Sequence, residues 1–367
     1  MDVDNIETIS SQRIEELWFA DGNIILQAGN TQFRLYKGIL AARSPIFRDM
    51  LALPQPPEAE LVDGCPVVEM HDDSAELAIF FSAIFIPQYF APFPNETTFD
   101  KLYACLHISH KYDVEYIYRR SLIHLSSGYC TTLEKFDEYV YNSHLLNPLG
   151  RPSWGLIVQR TSESSTPISE TAKSVKFVRR LRLIALALSV DALWLLPNAL
   201  LSLCREIPTP IDLAQALLPD DSESESHDES ISGSLNRFLP KPFVARLLHG
   251  YGALQHDPFD LIAYLTDPMD IEGCEDPSRC FRSRVQTAHR AHRRISQHPL
   301  TALHSSTPRS WERVLSRLCP VCGTSLTEAR KAARQRAWDK LPVDFGLPPW
   351  PELERMKAEA SGPNLFC

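Results

Sequence analysis

Apolar residues recur along this chain with two different periods, which alternate through the first third of the sequence. From Asn23 to Ala28 and from Thr31 to Leu35 they alternate with polar residues, the spacing of a half-buried strand. Gly29-Asn30 lies between the two runs, and both residue types tolerate positive φ, so the pattern predicts a β-hairpin with Ile24 and Leu26 facing Phe33 and Leu35. Tyr36 to Arg43 then reads as a short helix. Ser44-Pro45 restarts a second one, with Ser as N-cap, Pro at the first helical position, and Ile46, Phe47, Met50 and Leu51 as its apolar face. Pro66 to Met70 reads as a short strand. Ser74 is placed to cap a helix carrying Leu77, Phe80, Phe81, Ile84 and Phe85, which Pro87 ends. Two more helices follow, one on Phe99, Leu102 and Leu106, the next on Val114, Ile117, Tyr118, Ser121, Leu122 and Leu125 with Gly128 at its end.

After residue 129 the strand period nearly vanishes. Residues 132–148 and 174–204 read as helical, as do 240–265, Arg279 to Gln297 and Arg309 to Leu341. Between them, residues 219–235 read PDDSESESHDESISGSL, too polar to bury apolar area against chain entropy, and are expected to form a disordered linker. The fold class expected is α+β: a small sheet with helices, then a mostly α-helical C-terminal region. The expected divisions are a flexible N-terminus (1–14), a mixed domain (15–130), a helical region (131–218), the acidic linker (219–236) and a helical C-terminal region (237–367). No internal repeat interrupts this plan.

The stretch from Leu181 to Leu203 is long and apolar enough to raise the question of a membrane span. Asp191 stands at its centre, where lipid burial costs about 2.5–3.5 kcal/mol, and Pro197 interrupts it, so two buried core helices broken at Pro197, and no membrane, are expected. The acidic, polar start is no secretory signal, and nine scattered cysteines suit a reducing compartment, cytoplasm or nucleus. The Asn95 glycosylation acceptor would then stay unused.

Charge alters the picture in one place. The chain's net charge is −9, yet residues 279–340 carry fourteen Lys or Arg against three acids, a local +11 that leaves −20 for the rest. Arg279, Arg282, Arg284, Arg290, Arg293 and Arg294 are candidate phosphate contacts, against the plainer reading of a solvated face paired with the chain's acids. The sharpest chemical signal is Cys319-Pro-Val-Cys322, a C-x2-C pair able to grip zinc from a tight turn. Cys274 and Cys280 can complete a four-thiolate set if helices fold back on one another, with His289 and His292 as rival ligands; the plainer reading is ordinary thiols and surface imidazoles. Phosphate-binding glycine loops, nucleophile elbows and metalloprotease motifs are missing from the sequence, so no catalytic residues and no enzyme are expected.

The order of elements in 17–128 resembles the BTB/POZ domain. The segment from Phe33 to Phe47, FRLYKGILAARSPIF, is similar to that family's passage from a strand into a helical pair. Gly64 to Val68 (GCPVV) is similar to its following strand, and Lys111-Tyr-Asp-Val114 to a helix junction. Trp18 to Asn23 (WFADGN), Phe47 to Met50 (FRDM), and the terminal WDKLP at 338–342 with FGLPPW at 345–350 resemble the BTB proteins of mushroom-forming fungi. The resemblance implies a protein-interaction module, a homodimer, scaffold or adaptor, pairing through Leu17, Trp18, Phe19, Ile39, Leu40 and Met50; the plainer reading is that these fill the monomer's own core. Tyr36 stands where the family usually has His. The stretch Ala52 to Pro57 lacks the hydrophobic-x-Glu motif of cullin-binding members, which weakens the alternative of a ubiquitin-ligase adaptor. A further alternative, from the Arg-rich stretch and the cysteines, is a DNA-associated regulator with a zinc-binding C-terminal region.

Overall fold

The computed structural model describes residues 11–53, 61–138, 157–158, 170–206, 239–256, 259–266, 271–297 and 308–362. The expected linker at 219–236 lies outside these, as does most of 139–169. The chain divides into two compact units, one holding the sequence through Gly128 with short returns at 154–163 and 360–367, the other 129–153 and 164–359.

The first unit is built on a five-stranded sheet, β1 (Gln12–Trp18), β2 (Ile24–Ala28), β3 (Thr31–Leu35), β4 (Leu61–Val62) and β5 (Cys65–Met70), in the order β1-β3-β2-β5-β4. β2 and β3 form the expected hairpin, antiparallel, with Ile24 opposite Leu35 and Leu26 opposite Phe33. Gly29 takes a φ of 53° in its turn. β5 joins β2 in parallel after the helical pair α1 (Lys37–Arg43) and α2 (Pro45–Ala52). A parallel pairing requires such a crossover, because two strands running the same way cannot be joined by a tight turn. Ser44 caps α2 as expected, its Oγ accepting from the Phe47 amide at 2.9 Å.

Three features differ from the sequence reading. Gln12 and its neighbours, expected to be flexible, form β1 beside β3. Only Leu17 of its seven residues is buried, so this polar edge strand carries no alternation to read. Helix α3 (Ser74–Phe85) is capped by Asp73, not Ser74: its carboxylate accepts from the Glu76 amide at 2.9 Å. A two-residue strand β6 (Thr97–Thr98) pairs with β7 (Ile157–Val158), beyond the point where strands were expected to end. Helices α4 (Phe99–Lys111) and α5 (Glu115–Gly128) complete the unit.

Its core is aromatic. Phe81 lies 5.2 Å from Phe33, 5.6 Å from Phe80 and 6.3 Å from Phe47, centroid to centroid, and Phe47 stacks on Tyr112 at 4.5 Å. Phe33, Phe47, Phe80 and Phe81 are all fully buried. His124 is buried on α5 between Phe90 at 5.4 Å and Phe93 at 6.0 Å, with Nε2 2.9 Å from the Ala91 carbonyl. Burial, more than any neighbour, lowers its pKa.

The second unit contains α6 (Glu170–Ser189), a 3-10 turn at Leu193–Leu195, α7 (Leu196–Glu206), α8 (Lys241–His256), α9 (Asp260–Ala263), α10 (Pro277–Gln297), α11 (Pro308–Leu315), α12 (Pro320–Asp344) and α13 (Trp350–Ser361); residues 133–138 are also helical. The apolar stretch from Leu181 is indeed two helices, but the break falls at Asp191, which takes a φ of 56°, and not at Pro197. Pro197 sits in the first turn of α7, where its missing N–H leaves no intrahelical bond unmade. Among the described residues no helix is long and apolar enough to cross a membrane. The Arg-rich helical stretch over 309–341 is two helices: the first ends at Leu315, and Cys319-Pro320 begins the next.

The terminal motif is a packing device. Trp338 stacks on Trp350 at 4.9 Å, and the Trp350 Nε1–H donates to the Trp338 carbonyl at 2.7 Å. Gly346, at φ 64°, stops α12: its amide donates to the Val343 carbonyl and the Leu347 amide to Pro342, each at 2.9 Å, the two bonds of a Schellman turn. That turn delivers Phe345 against α8, where a Cβ on Gly250 would lie 2.2 Å from the ring.

Two outcomes follow from this packing. Phe81→Ala removes the ring at the centre of the first unit's core and should cost about 3–5 kcal/mol in chemical denaturation; a loss below about 1 kcal/mol would show that the cluster does not carry the unit. His124 binds its proton less readily folded than unfolded, where its pKa is about 6.5. The unfolded state therefore binds more protons below about pH 6.5, and stability should fall as pH drops through that range. A His124→Gln chain should lose less stability than wild type between pH 7 and 5, read by thermal melts.

Candidate metal centre

The four candidate thiols meet. Cys274, Cys280, Cys319 and Cys322 place their sulfurs all within 4.8 Å of one another. The Cys322–Cys274 separation is 3.3 Å and Cys319–Cys274 is 3.9 Å. A tetrahedral ion with metal–sulfur bonds of about 2.3 Å has sulfur–sulfur edges of about 3.8 Å. The four cysteines are therefore close enough to hold a metal ion.

Local sequence explains how each sulfur arrives. Cys319 is the N-cap of α12, extended at φ −69° and ψ 160°, with Pro320 behind it as the first helical residue; its Sγ accepts from the Cys322 amide at 3.5 Å. Cys322 follows in the first turn. On the other side, Asp276 caps α10 through the Arg279 amide at 2.9 Å, and Cys280 lies in that helix's first turn. Cys274 leaves a tight turn in which its amide donates to the Ile271 carbonyl at 3.1 Å and Gly273 takes a φ of 82°. The Cys319 amide points to Cys280 Sγ at 3.4 Å, tying the two halves together. Two helix N-termini thus converge on four sulfurs, and both carry the partial positive charge that favours thiolate.

Without an ion the four thiols differ in acidity. Cys319 is drawn down to about 6, first by the Cys322 amide and then by the Glu275 amide. Burial, and then the neighbouring sulfurs, pushes Cys322 well up, and Cys280 is raised for the same first reason. A cation entering the cluster would displace the protons these two hold. Three of the four cysteines are buried and Cys274 is partly so, within an apolar cluster that includes Tyr264, Leu265, Leu318 and Leu326. Four thiolate ligands leave no open position for a substrate, the pattern of a structural site.

The rival ligands stay away. His289 is exposed on α10, and His292 packs its ring on Phe259 at 4.9 Å. The arginines separate into two kinds. Arg279, Arg282, Arg290, Arg293 and Arg294 are exposed, but Arg284 is 3% exposed and donates through Nη2 to the Tyr264 carbonyl at 3.1 Å. It is therefore no phosphate contact. The signal was present in the sequence: Arg284 falls one turn from both Cys280 and Ala288, on the buried side of α10. Two cations the sequence reading passed over, Arg313 and Arg317, are exposed at the end of α11, and the Arg317 carbonyl accepts from Ser283 Oγ on α10 at 3.4 Å.

The expected docking residues also divide. Leu17 and Leu40 are fully buried in the first unit, so they fill its core and do not face a partner. Phe19 packs on Tyr36 at 5.0 Å and Phe85 at 5.6 Å, and Arg13 covers the Trp18 ring at 4.3 Å; both rings and Met50 are partly exposed. Ile39 is 41% exposed, and so are two residues not anticipated, Ile46 at 43% and Leu53 at 66%. Comparison with protein families, curated proteins and solved structures finds nothing that matches this chain, so the chemistry of its four-thiol centre stands on geometry alone.

Proposed function

We propose that this chain is a non-enzymatic interaction protein of the BTB/POZ type, whose first unit self-associates and whose helical C-terminal unit is stapled by one structural zinc ion. The observation that carries the reading is the hairpin feeding a Ser44-capped helical pair that leaves Ile39, Ile46 and Leu53 in solvent. Exposed aliphatic side chains grouped on one helical pair lose water only by meeting another polypeptide. The resemblance of Phe33 to Phe47 and Gly64 to Val68 to the BTB passage supports the same conclusion. An adaptor acting inside the cell also suits the thiols, since the eight described cysteines are all free.

For the metal, zinc is the ion that best suits four thiolates at these separations, because it accepts tetrahedral sulfur sets without redox chemistry. Its role would be to hold the starts of α10 and α12 together.

Light scattering on the full chain during size exclusion should report a dimer at micromolar concentration, and Ile39→Asp with Ile46→Asp should return a monomer with an unchanged far-UV spectrum. A wild-type chain that stays monomeric at high micromolar concentration defeats the self-association reading. Elemental analysis of purified protein should find one zinc per chain, with Cys319→Ser below half of that; Cys105→Ser, a thiol outside the cluster, should keep full occupancy. Cobalt substitution should give the absorption of a tetrahedral thiolate site, and a chain that takes up no metal removes the zinc reading.

A further inference from the structure

α10 presents two parallel tracks to solvent. At about 100° per residue, Arg279, Arg282, Arg290, Arg293 and Arg294 fall within a sector of about 120°, running about 22 Å along the axis. The sector is opposite the face buried through Cys280, Arg284, Ala288 and Ile295. Residues 279–294 contain no acid, and apart from Arg279, which has Asp276, no carboxylate among the described residues pairs with any of these arginines. Arg317, also exposed, is tied to α10 through its backbone carbonyl, which accepts from Ser283 Oγ.

The second track is apolar. Phe281 is 55% exposed and Val285 40% exposed, one turn apart, and three turns beyond Phe281 on the same flank His292 packs at a tilt of 37° against Phe259, itself 40% exposed. Large rings left in water next to unpaired guanidinium groups are costly for a purely solvated face.

We propose that this face of α10 binds single-stranded nucleic acid, with the arginine track on the phosphates and Phe281 and the Phe259–His292 pair as stacking platforms. The two tracks decide between polyanions. A single strand presents a charged edge and a row of unpaired π-faces side by side, which is the pattern displayed here. A duplex keeps its bases stacked inside, leaving the aromatic track unused, and an acidic peptide offers carboxylates without π-faces. The proposal does not depend on zinc or on dimerisation, because Phe281, Val285, His292 and the five arginines of the track all lie on α10 itself.

The test is fluorescence anisotropy of a labelled oligothymidylate titrated with the full chain at several salt concentrations. Five phosphate contacts should give a log–log salt slope of about −3.5 on a single strand. Changing Arg282, Arg290 and Arg293 together to Gln should flatten that slope by about 2. Phe281→Ala should weaken single-strand binding about tenfold and leave duplex binding unchanged. Unchanged circular dichroism and metal content establish that each variant folds. A second chain, with the six acids between 220 and 229 neutralised, removes competition from the chain's own carboxylates. No binding at low salt by either chain overturns the proposal. So does an oligonucleotide held no more tightly than polyglutamate of equal charge, which would assign the face to an acidic protein, or a Phe281→Ala effect equal on duplex and single strand.

Discussion

The first turn of a helix leaves amide groups with no partner inside the helix, and both units of this protein are organised by how those groups are satisfied. Ser44, Asp73 and Thr98 each supply a side-chain oxygen to a helix of the first unit. Ser44 does more than cap: its hydroxyl also donates to the Tyr112 carbonyl, fixing the helical pair against the end of α4. In the second unit Asp276 caps α10 with oxygen, and Cys319 caps α12 with sulfur. Replacing oxygen by sulfur at that one position turns a helix start into a candidate metal ligand.

The same economy runs through the terminal motif. A Schellman turn at Gly346 ends α12 and sends Phe345 into the space that a side chain on Gly250 would occupy. Trp338 then finds Phe136 on one side, at 5.1 Å, and Trp350 on the other. Arg334, one turn before Trp338, forms a bidentate pair with Asp137 at 2.6 and 2.5 Å. Such a two-pronged bond between partly shielded groups orients as well as attracts. Residues 131–137 and 334–350 are thereby joined into one layer of the second unit, which is a sufficient physical reason for the pattern of tryptophans and glycine near the end of the chain.

Much of the candidate centre was legible beforehand because metal-ligand chemistry is local. Cys319 and Cys322 had the right spacing on their own, and a tight turn is all a C-x2-C pair needs. The other two thiols could be named but not joined, since 38 residues separate Cys280 from Cys319 and only packing brings α10 onto α12. The basic stretch was misjudged in one residue for a related reason. Composition treats six arginines alike, whereas a helix sorts them by angle, placing Arg284 inward and the other five outward.

What the amino-acid order determined alone was everything set by neighbours within a turn or two: the hairpin between Ala28 and Thr31, the Ser44 cap, the apolar faces of α3 to α5, and the thiol pair at 319 and 322. It also bounded the class, a small mixed unit followed by helices, because runs of period two nearly vanish after residue 129. Tertiary structure decided the rest. It recruited the polar stretch at Gln12 as an edge strand, moved the helix break from Pro197 to Asp191, buried Leu17 and Leu40 while leaving Ile39 and Ile46 in water, and gathered four sulfurs into one cluster. Most of those outcomes depend on contacts between residues far apart in the chain, whose free energy comes from excluding water between surfaces that no local pattern encodes.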